Sequence, residues 1–271
     1  MKAPFVAAVC LVAIAFTGVA LANPGPTSPL YLTYTFDLNG GHSIVMVQGN
    51  SITSFAEAYG APDEVPIAVA GDVRTSGNSL TTVGGQYSLA GIPTGTTYFL
   101  PAIASTAYDS TTDGSHNYLV DYTYSTVYQT ARDFTNPVAL FTSTGPYNVG
   151  ITYDKTNNSL WIAGFGATTL VTDYSMNGTV LSSFDTGNYL NGALAMDPAT
   201  HTLWLVDGNT GNLEQYSTAG ALLSTGPYVG YALGGEFDMG GGTPTPEPGT
   251  FIMFGSSILS LAGLVRRKIN R

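Results

Sequence analysis

Cysteine is almost absent from this 271-residue chain; the single copy, Cys10, lies inside an N-terminal apolar run. Val9 precedes Cys10 and Leu11-Val12 follow it, so the small residue before and polar chain after that mark a lipidated cysteine are missing. Beyond residue 22 there is no thiol, which excludes disulfides, thiolate metal sites and cysteine nucleophiles. Positive charge is nearly as scarce. Residues 23–243 hold Arg74, Arg132 and Lys155 against seventeen carboxylates, a balance of −14. A chain with so little basic surface has no footprint for a phosphate backbone, so nucleic acid is not expected as a partner. Histidine is limited to His42, His116 and His201, and no G-x-S-x-G or H-E-x-x-H motif occurs. Helical periodicity is nearly missing between residues 23 and 243, which argues against an α-helical domain.

Two apolar segments stand at the ends. Residues 1–22 carry Lys2, an apolar run through Val19, and Ala20-Leu21-Ala22, the three parts of a secretory signal, with cleavage expected before Asn23. The tail reads Pro246-Glu247-Pro248-Gly249-Thr250, then an apolar run over 251–265, then Arg266-Arg267-Lys268. Fifteen helical residues span about 22 Å, short of a hydrocarbon core of roughly 30 Å, a gap that snorkelling arginines and local thinning could close. The basic cluster acts as a stop and should stay cytoplasmic, leaving the preceding chain outside. This tail resembles the PEP-CTERM sorting signal of bacterial envelope proteins, in which the same three parts follow in the same order. The resemblance covers residues 246–271 and implies recognition of Pro246, Glu247 and Pro248 by a membrane transpeptidase, exosortase. It also implies a cell-surface or matrix destination after passage through the cytoplasmic membrane.

Between the ends, short runs of Val, Ile, Thr and Tyr alternate with Gly, Asn, Asp and Pro, the pattern of many short strands joined by tight turns. A repeat is visible. Asp154 and Trp161 recur 43 residues later as Asp197 and Trp204, and Tyr174-Ser175 recurs as Tyr216-Ser217. Asp109 heads an earlier, looser copy, and Asp238 follows Asp197 by 41 residues. One unit reads as four strands over 150–153, 160–163, 169–174 and 179–184, with Asn177-Gly178 as a hairpin turn. A four-stranded unit of this length is the size of a propeller blade. The sequence resembles irregular β-propellers of the NHL and YVTN kind, well over 105–239 and poorly over 23–104. The expected fold is therefore all-β: a propeller of about five four-stranded blades over 23–239, the last completed by the N-terminal strand, plus an N-terminal signal helix and a C-terminal transmembrane helix. A Gly/Pro linker over 240–245 joins the propeller to the sorting signal. The rival architecture places a sandwich before residue 104 and a partial propeller after it.

Thr144-Gly-Pro-Tyr147, Thr186-Gly-Asn-Tyr189 and Thr225-Gly-Pro-Tyr228 share one pattern, with Thr94-Gly-Thr-Thr-Tyr98 as a degenerate copy. Each precedes the first strand of a blade, so the tyrosines would ring one mouth of the channel, where Asp121, Phe165, Asp207 and Asn209 of the second-to-third strand loops also open. Aromatic faces with carboxylates and amides suit sugar rings; the structural alternative is tyrosine packed between blades. The repeated aspartates read as turn caps. Asp109-Ser-Thr-Thr-Asp113-Gly114 partly matches a calcium loop but lacks its closing glutamate, leaving Asp109 and Asp113 as a weak calcium candidate. No other cofactor is indicated. The leading expectation is a non-catalytic binding or scaffold propeller for exopolysaccharide or surface proteins. The alternative is an extracellular lyase or hydrolase using Asp121 or Asp207, with calcium.

Overall fold

The alternating runs form twenty β-strands in a computed structural model, which describes residues 25–33, 43–60, 63–102 and 104–240. Numbered in chain order, β1 (Leu30–Thr33), β2 (Ser43–Gln48) and β3 (Ser51–Ala56) come first. The second blade holds β4 (Glu64–Val69), β5 (Val73–Gly77), β6 (Val83–Tyr87) and β7 (Pro93–Phe99). The third holds β8 (Ser110–Thr112), β9 (His116–Val120), β10 (Thr126–Ala131) and β11 (Val138–Thr142). The fourth holds β12 (Asn148–Asp154), β13 (Ser159–Gly164), β14 (Leu170–Ser175) and β15 (Val180–Asp185). The fifth holds β16 (Asn191–Asp197), β17 (Thr202–Asp207), β18 (Asn212–Ser217) and β19 (Leu222–Tyr228), and β20 (Gly234–Phe237) is the last strand among the described residues. Each strand expected in the 43-residue unit falls within a residue or two of β12 to β15.

All five sheets are antiparallel and four-stranded, and β20 lies beside β1 in the order β20-β1-β2-β3. Closure thus joins one C-terminal strand to three N-terminal strands, which corrects the expectation that a single N-terminal strand completes the ring. The strands before residue 104 build the first two blades, so the sandwich alternative falls. The weak repeat there has a physical cause: the first blade takes its inner strand from residues 234–237, so the N-terminal sequence supplies only three of its four strands. The signal peptide, most of the linker, the sorting motif and the apolar tail lie outside the described residues. Among the described residues no helix is long and apolar enough to cross a membrane.

β4, β8, β12, β16 and β20 are the innermost strands, and each packs against the next around the axis. All five are buried along their whole length, whereas the outermost strands are largely exposed. One apolar cluster fills each gap between neighbouring blades. Tyr31 and Ile44 meet Ile67 and Tyr87; Tyr98 meets Leu119 and Phe134; Tyr118 meets Ile151 and Tyr174. Trp161 meets Leu194 and Leu203, and Trp204 meets Leu30 and Val45 across the closing seam. Burying each such aliphatic side chain contributes about 1.5–3 kcal/mol, and the five interfaces together hold the ring. Trp161 and Trp204 are 1% and 2% exposed, so both are core residues.

The inner strands run close enough to exclude side chains at two points. A Cβ on Gly150 would stand 2.7 Å from the Gly192 carbonyl oxygen, and one on Gly192 would overlap the Ala232 carbonyl oxygen. On the axis, Asp109 accepts the backbone N–H groups of Ile151 (3.1 Å), Leu194 (3.4 Å) and Gly235 (3.0 Å), from three other blades, besides that of Ser110 (2.9 Å). It is fully buried. Burial pushes its carboxyl well above the ordinary value, the three inter-blade N–H groups pull the other way, and nearby Glu236 adds to the rise. A polar pin between blades two and three complements this centre: Arg74 and Arg132 both hold Asp72, at 2.8 and 3.0 Å.

Candidate binding face

In an up-and-down blade, the turn between the second and third strands and the loop crossing to the next blade lie at the same end. Here they are tied together by backbone hydrogen bonds. Tyr122 N–H donates to the Thr106 carbonyl at 2.8 Å, Phe165 N–H to Tyr147 at 2.8 Å, Gly208 N–H to Leu190 at 2.8 Å, and Val229 N–H to Gly211 at 2.8 Å. These links fix the crossing loops over one mouth of the ring.

Aromatic rings form a continuous belt at that mouth. Tyr108 and Tyr122 meet edge to face with centroids 5.1 Å apart; Tyr122 and Tyr147 lie 5.1 Å apart. Tyr122 and Phe165 follow at 6.5 Å, and Phe165 and Tyr231 at 6.2 Å. Tyr108, Tyr122, Phe165 and Tyr231 rest on Val65, Val149 and Leu233, and Tyr147 leans on Tyr122. Tyr147 is 45% exposed and the other four are part-buried, so the belt offers ring surface to solvent while its base is anchored. Tyr147 also adopts φ of +60°, a conformation costly for a bulky side chain. Burial beside Tyr108 and Tyr147 raises the Tyr122 phenol above its ordinary value.

The belt follows the repeat period more closely than the Thr-Gly-x-Tyr pattern does. Tyr122, Phe165 and Gly208 stand 43 residues apart; Phe165 and Gly208 open their second-to-third turns and Tyr122 is the second residue of its own. Gly208 has no ring, and Tyr231 occupies the space: a Cβ on Gly208 would come within 2.5 Å of it. The Thr-Gly-x-Tyr copies, by contrast, are out of register. Thr144–Tyr147 and Thr186–Tyr189 are loops, but Thr225–Tyr228 belongs to β19 and Thr94–Tyr98 to β7. Tyr147 joins the belt. Tyr189 is 60% exposed on the neighbouring crossing loop, and Tyr228 packs over Gly211 at the end of β19. Tyr98 is 7% exposed between Phe134 and the Arg74 guanidinium, far down an outer strand. Tyr108, Tyr122 and Tyr231 were not singled out by the sequence pattern, although the period alone brings Tyr122 into line with Phe165.

The carboxylates named as chemical candidates are engaged in their own turns. Asp121 is fully buried and accepts the N–H groups of Ser105, Thr123 (2.8 Å) and Tyr124 (2.7 Å), with the Ser105 hydroxyl at 3.0 Å. Asp207 accepts from Asn209 N–H (2.9 Å) and amide (3.1 Å) and from the Thr210 hydroxyl (2.8 Å). Every oxygen of the two carboxylates thus accepts at least one hydrogen bond from its own surroundings. Asp109 and Asp113 do not share a loop: β8 runs between them, and Asp113 caps the following turn through Ser115 and His116. Four extended residues separate their backbones by about 13 Å, too far for one calcium sphere. Among the described residues no group of three or more His, Asp or Glu is placed to hold a metal ion. His201 occupies the turn position taken by Asn158 in the middle copy, whereas His116, expected in the matching turn, opens β9; His201 holds Asp154 at 3.0 Å and His116 lies 3.3 Å from Asp113.

No protein-family model matches the sequence, and no curated protein sequence matches it. Solved structures do. A chain in the crystal structure of a nidogen–laminin complex aligns at a TM-score of 0.54 with 15% identity, over 79% of this chain and 99% of that one. The chain is a five-bladed β-propeller. Virginiamycin B lyase from Staphylococcus aureus aligns at 0.45 with 14% identity, over 72% of this chain and 68% of that one. A functionally unknown protein from Desulfotomaculum acetoxidans aligns at 0.46 with 13% identity, over 80% and 74%.

Proposed function

We propose that the chain is an exported propeller of the PEP-CTERM type that binds matrix carbohydrate at its aromatic mouth and performs no chemistry of its own. The five-ring belt carries this reading. Tyrosine and phenylalanine faces stack on the C–H faces of sugars, and their anchored bases lose little entropy when a ligand arrives. Engagement of Asp121 and Asp207 by their own turns supports binding over catalysis. The termini support the route: Ala20-Leu21-Ala22 for export, Arg266-Arg267-Lys268 for membrane arrest, and Pro246-Glu247-Pro248 for exosortase and display at the cell surface or in the matrix.

The test is binding of the full-length chain to polysaccharide from the producing cell. Tyr122→Ala and Tyr147→Ala should each remove about 1 kcal/mol, roughly a five-fold loss of affinity. Tyr98→Ala, away from the belt, should leave affinity unchanged. Equal binding by wild type and a Tyr122→Ala/Tyr147→Ala double variant overturns the reading.

A further inference from the structure

The belt carries aromatic surface, and the charge around it narrows what it can hold. Among the described residues the cations are Arg74, Arg132 and Lys155. Arg74 and Arg132 are locked on Asp72 between blades two and three, with side chains 21% and 14% exposed. Lys155 lies in the turn between β12 and β13, at the opposite end of the ring from the belt. No described cation therefore stands free at the aromatic mouth.

Carboxylates do stand there. Asp185 is exposed at the start of the crossing loop that carries Tyr189, and it accepts the Gly187 N–H at 2.8 Å. Glu214 of the next blade reaches the same loop, accepting from the Asn188 amide at 3.4 Å and from the Tyr216 hydroxyl at 2.6 Å. Tyr189, 60% exposed, sits in the loop between these two acids. Phe165 and Leu190 form a β-bridge, so this acidic loop is continuous with the belt.

Resting on the carbohydrate reading above, we propose that the ligand is a cationic glycan, a polymer bearing free amino-sugar ammonium groups, and that uronate or sulfated polymers are rejected. An ammonium over a tyrosine face gains from the ring quadrupole, and an acidic rim adds long-range attraction. A polyanion meets the same rim as repulsion, with no arginine or lysine among the described residues free at the mouth to receive it. A pyranose offers what a basic peptide does not, a flat C–H face that stacks on an exposed tyrosine ring.

The experiment titrates the full-length chain with three oligosaccharides of equal length: glucosamine, N-acetylglucosamine and a polyuronate. The glucosamine oligomer should bind at least ten-fold more tightly than its acetylated form, and the polyuronate should not bind. Raising salt should shrink the preference. Asp185→Asn, an exposed change, should reduce it about three-fold, and with Glu214→Gln about ten-fold; Tyr147→Ala should weaken both neutral and charged oligomers alike. Equal affinity for the glucosamine and acetylated oligomers overturns the charge inference and leaves the carbohydrate reading standing. Failure of all three oligomers, while polylysine binds at the belt, overturns both.

Discussion

Replacing Asp109 by alanine should weaken the ring more than any other single polar substitution. Asp109 stands on the axis and accepts backbone N–H groups from β12, β16 and β20 as well as from its own strand. Each buried donor left without an acceptor costs about 1–3 kcal/mol. Three such donors would cost roughly 3–9 kcal/mol, and the relief of removing a buried carboxyl brings the net loss to about 3–5 kcal/mol. Against a domain stability of about 5–15 kcal/mol that is a large fraction. Asp109→Asn keeps one acceptor oxygen and should fall between alanine and wild type. Urea unfolding followed by tryptophan emission suits the purpose, because Trp161 and Trp204 are buried in blades four and five. Asp185→Asn, on the surface, serves as the control and should leave the unfolding midpoint unchanged. An Asp109→Ala variant within about 1 kcal/mol of wild type would refute the view that this carboxyl ties the inner strands together.

Other consequences follow from the same geometry. Glu57 is 8% exposed with neither carboxyl oxygen hydrogen-bonded, and burial, then the charges of Glu64 and Asp63, push its value up to about 8. A raised folded-state value gives stability that is complete below about pH 4.5 and is lost as pH rises through about 8, so melting temperature should fall between those limits and Glu57→Gln should flatten the fall. Burial alone would raise Asp72, but hydrogen bonds from Arg74 and Gln86 and the two guanidinium charges take it below its ordinary value; its contribution is present above that value and lost only in strong acid. Asp72→Asn should therefore cost about 2–3 kcal/mol at neutral pH, measured by urea unfolding, since it leaves two part-buried guanidinium groups without their partner. Gly192→Ala should cost about 2 kcal/mol or more by the same assay, because the added methyl meets the Ala232 carbonyl. Glu247→Ala should leave the chain in the cytoplasmic membrane, read by fractionation, if the tail acts as a sorting signal.

The blade was legible in the sequence because each strand boundary coincides with a Gly, Asn or Asp turn and because Trp161 and Trp204 mark one core position at a fixed interval. The first two blades were not. Their turns differ in length, and the first blade takes its inner strand from 234–237, two hundred residues away in sequence. Asp109 was misaligned for a related reason. It seemed equivalent to Asp154, yet strand pairing puts Thr112 opposite Asn117 just as Asp154 stands opposite Ser159. Asp109 is three residues earlier, on the axis, where the equivalent residues Ile151 and Leu194 donate N–H groups to it. The mouth was partly legible. Both loop classes were assigned to one end, but a short tyrosine motif recurs in strands as readily as in loops, and ring contacts between different blades leave no mark in local sequence.

Tyrosine footprinting tests the binding face most directly. Hydroxyl-radical labelling of the full-length chain, with and without the glucosamine oligomer, reads the exposure of each tyrosine in one experiment. Protection confined to Tyr108, Tyr122, Tyr147, Tyr189 and Tyr231 is the predicted result. Protection confined to tyrosines away from that mouth, or unchanged labelling of all of them at saturating oligomer, would contradict the account.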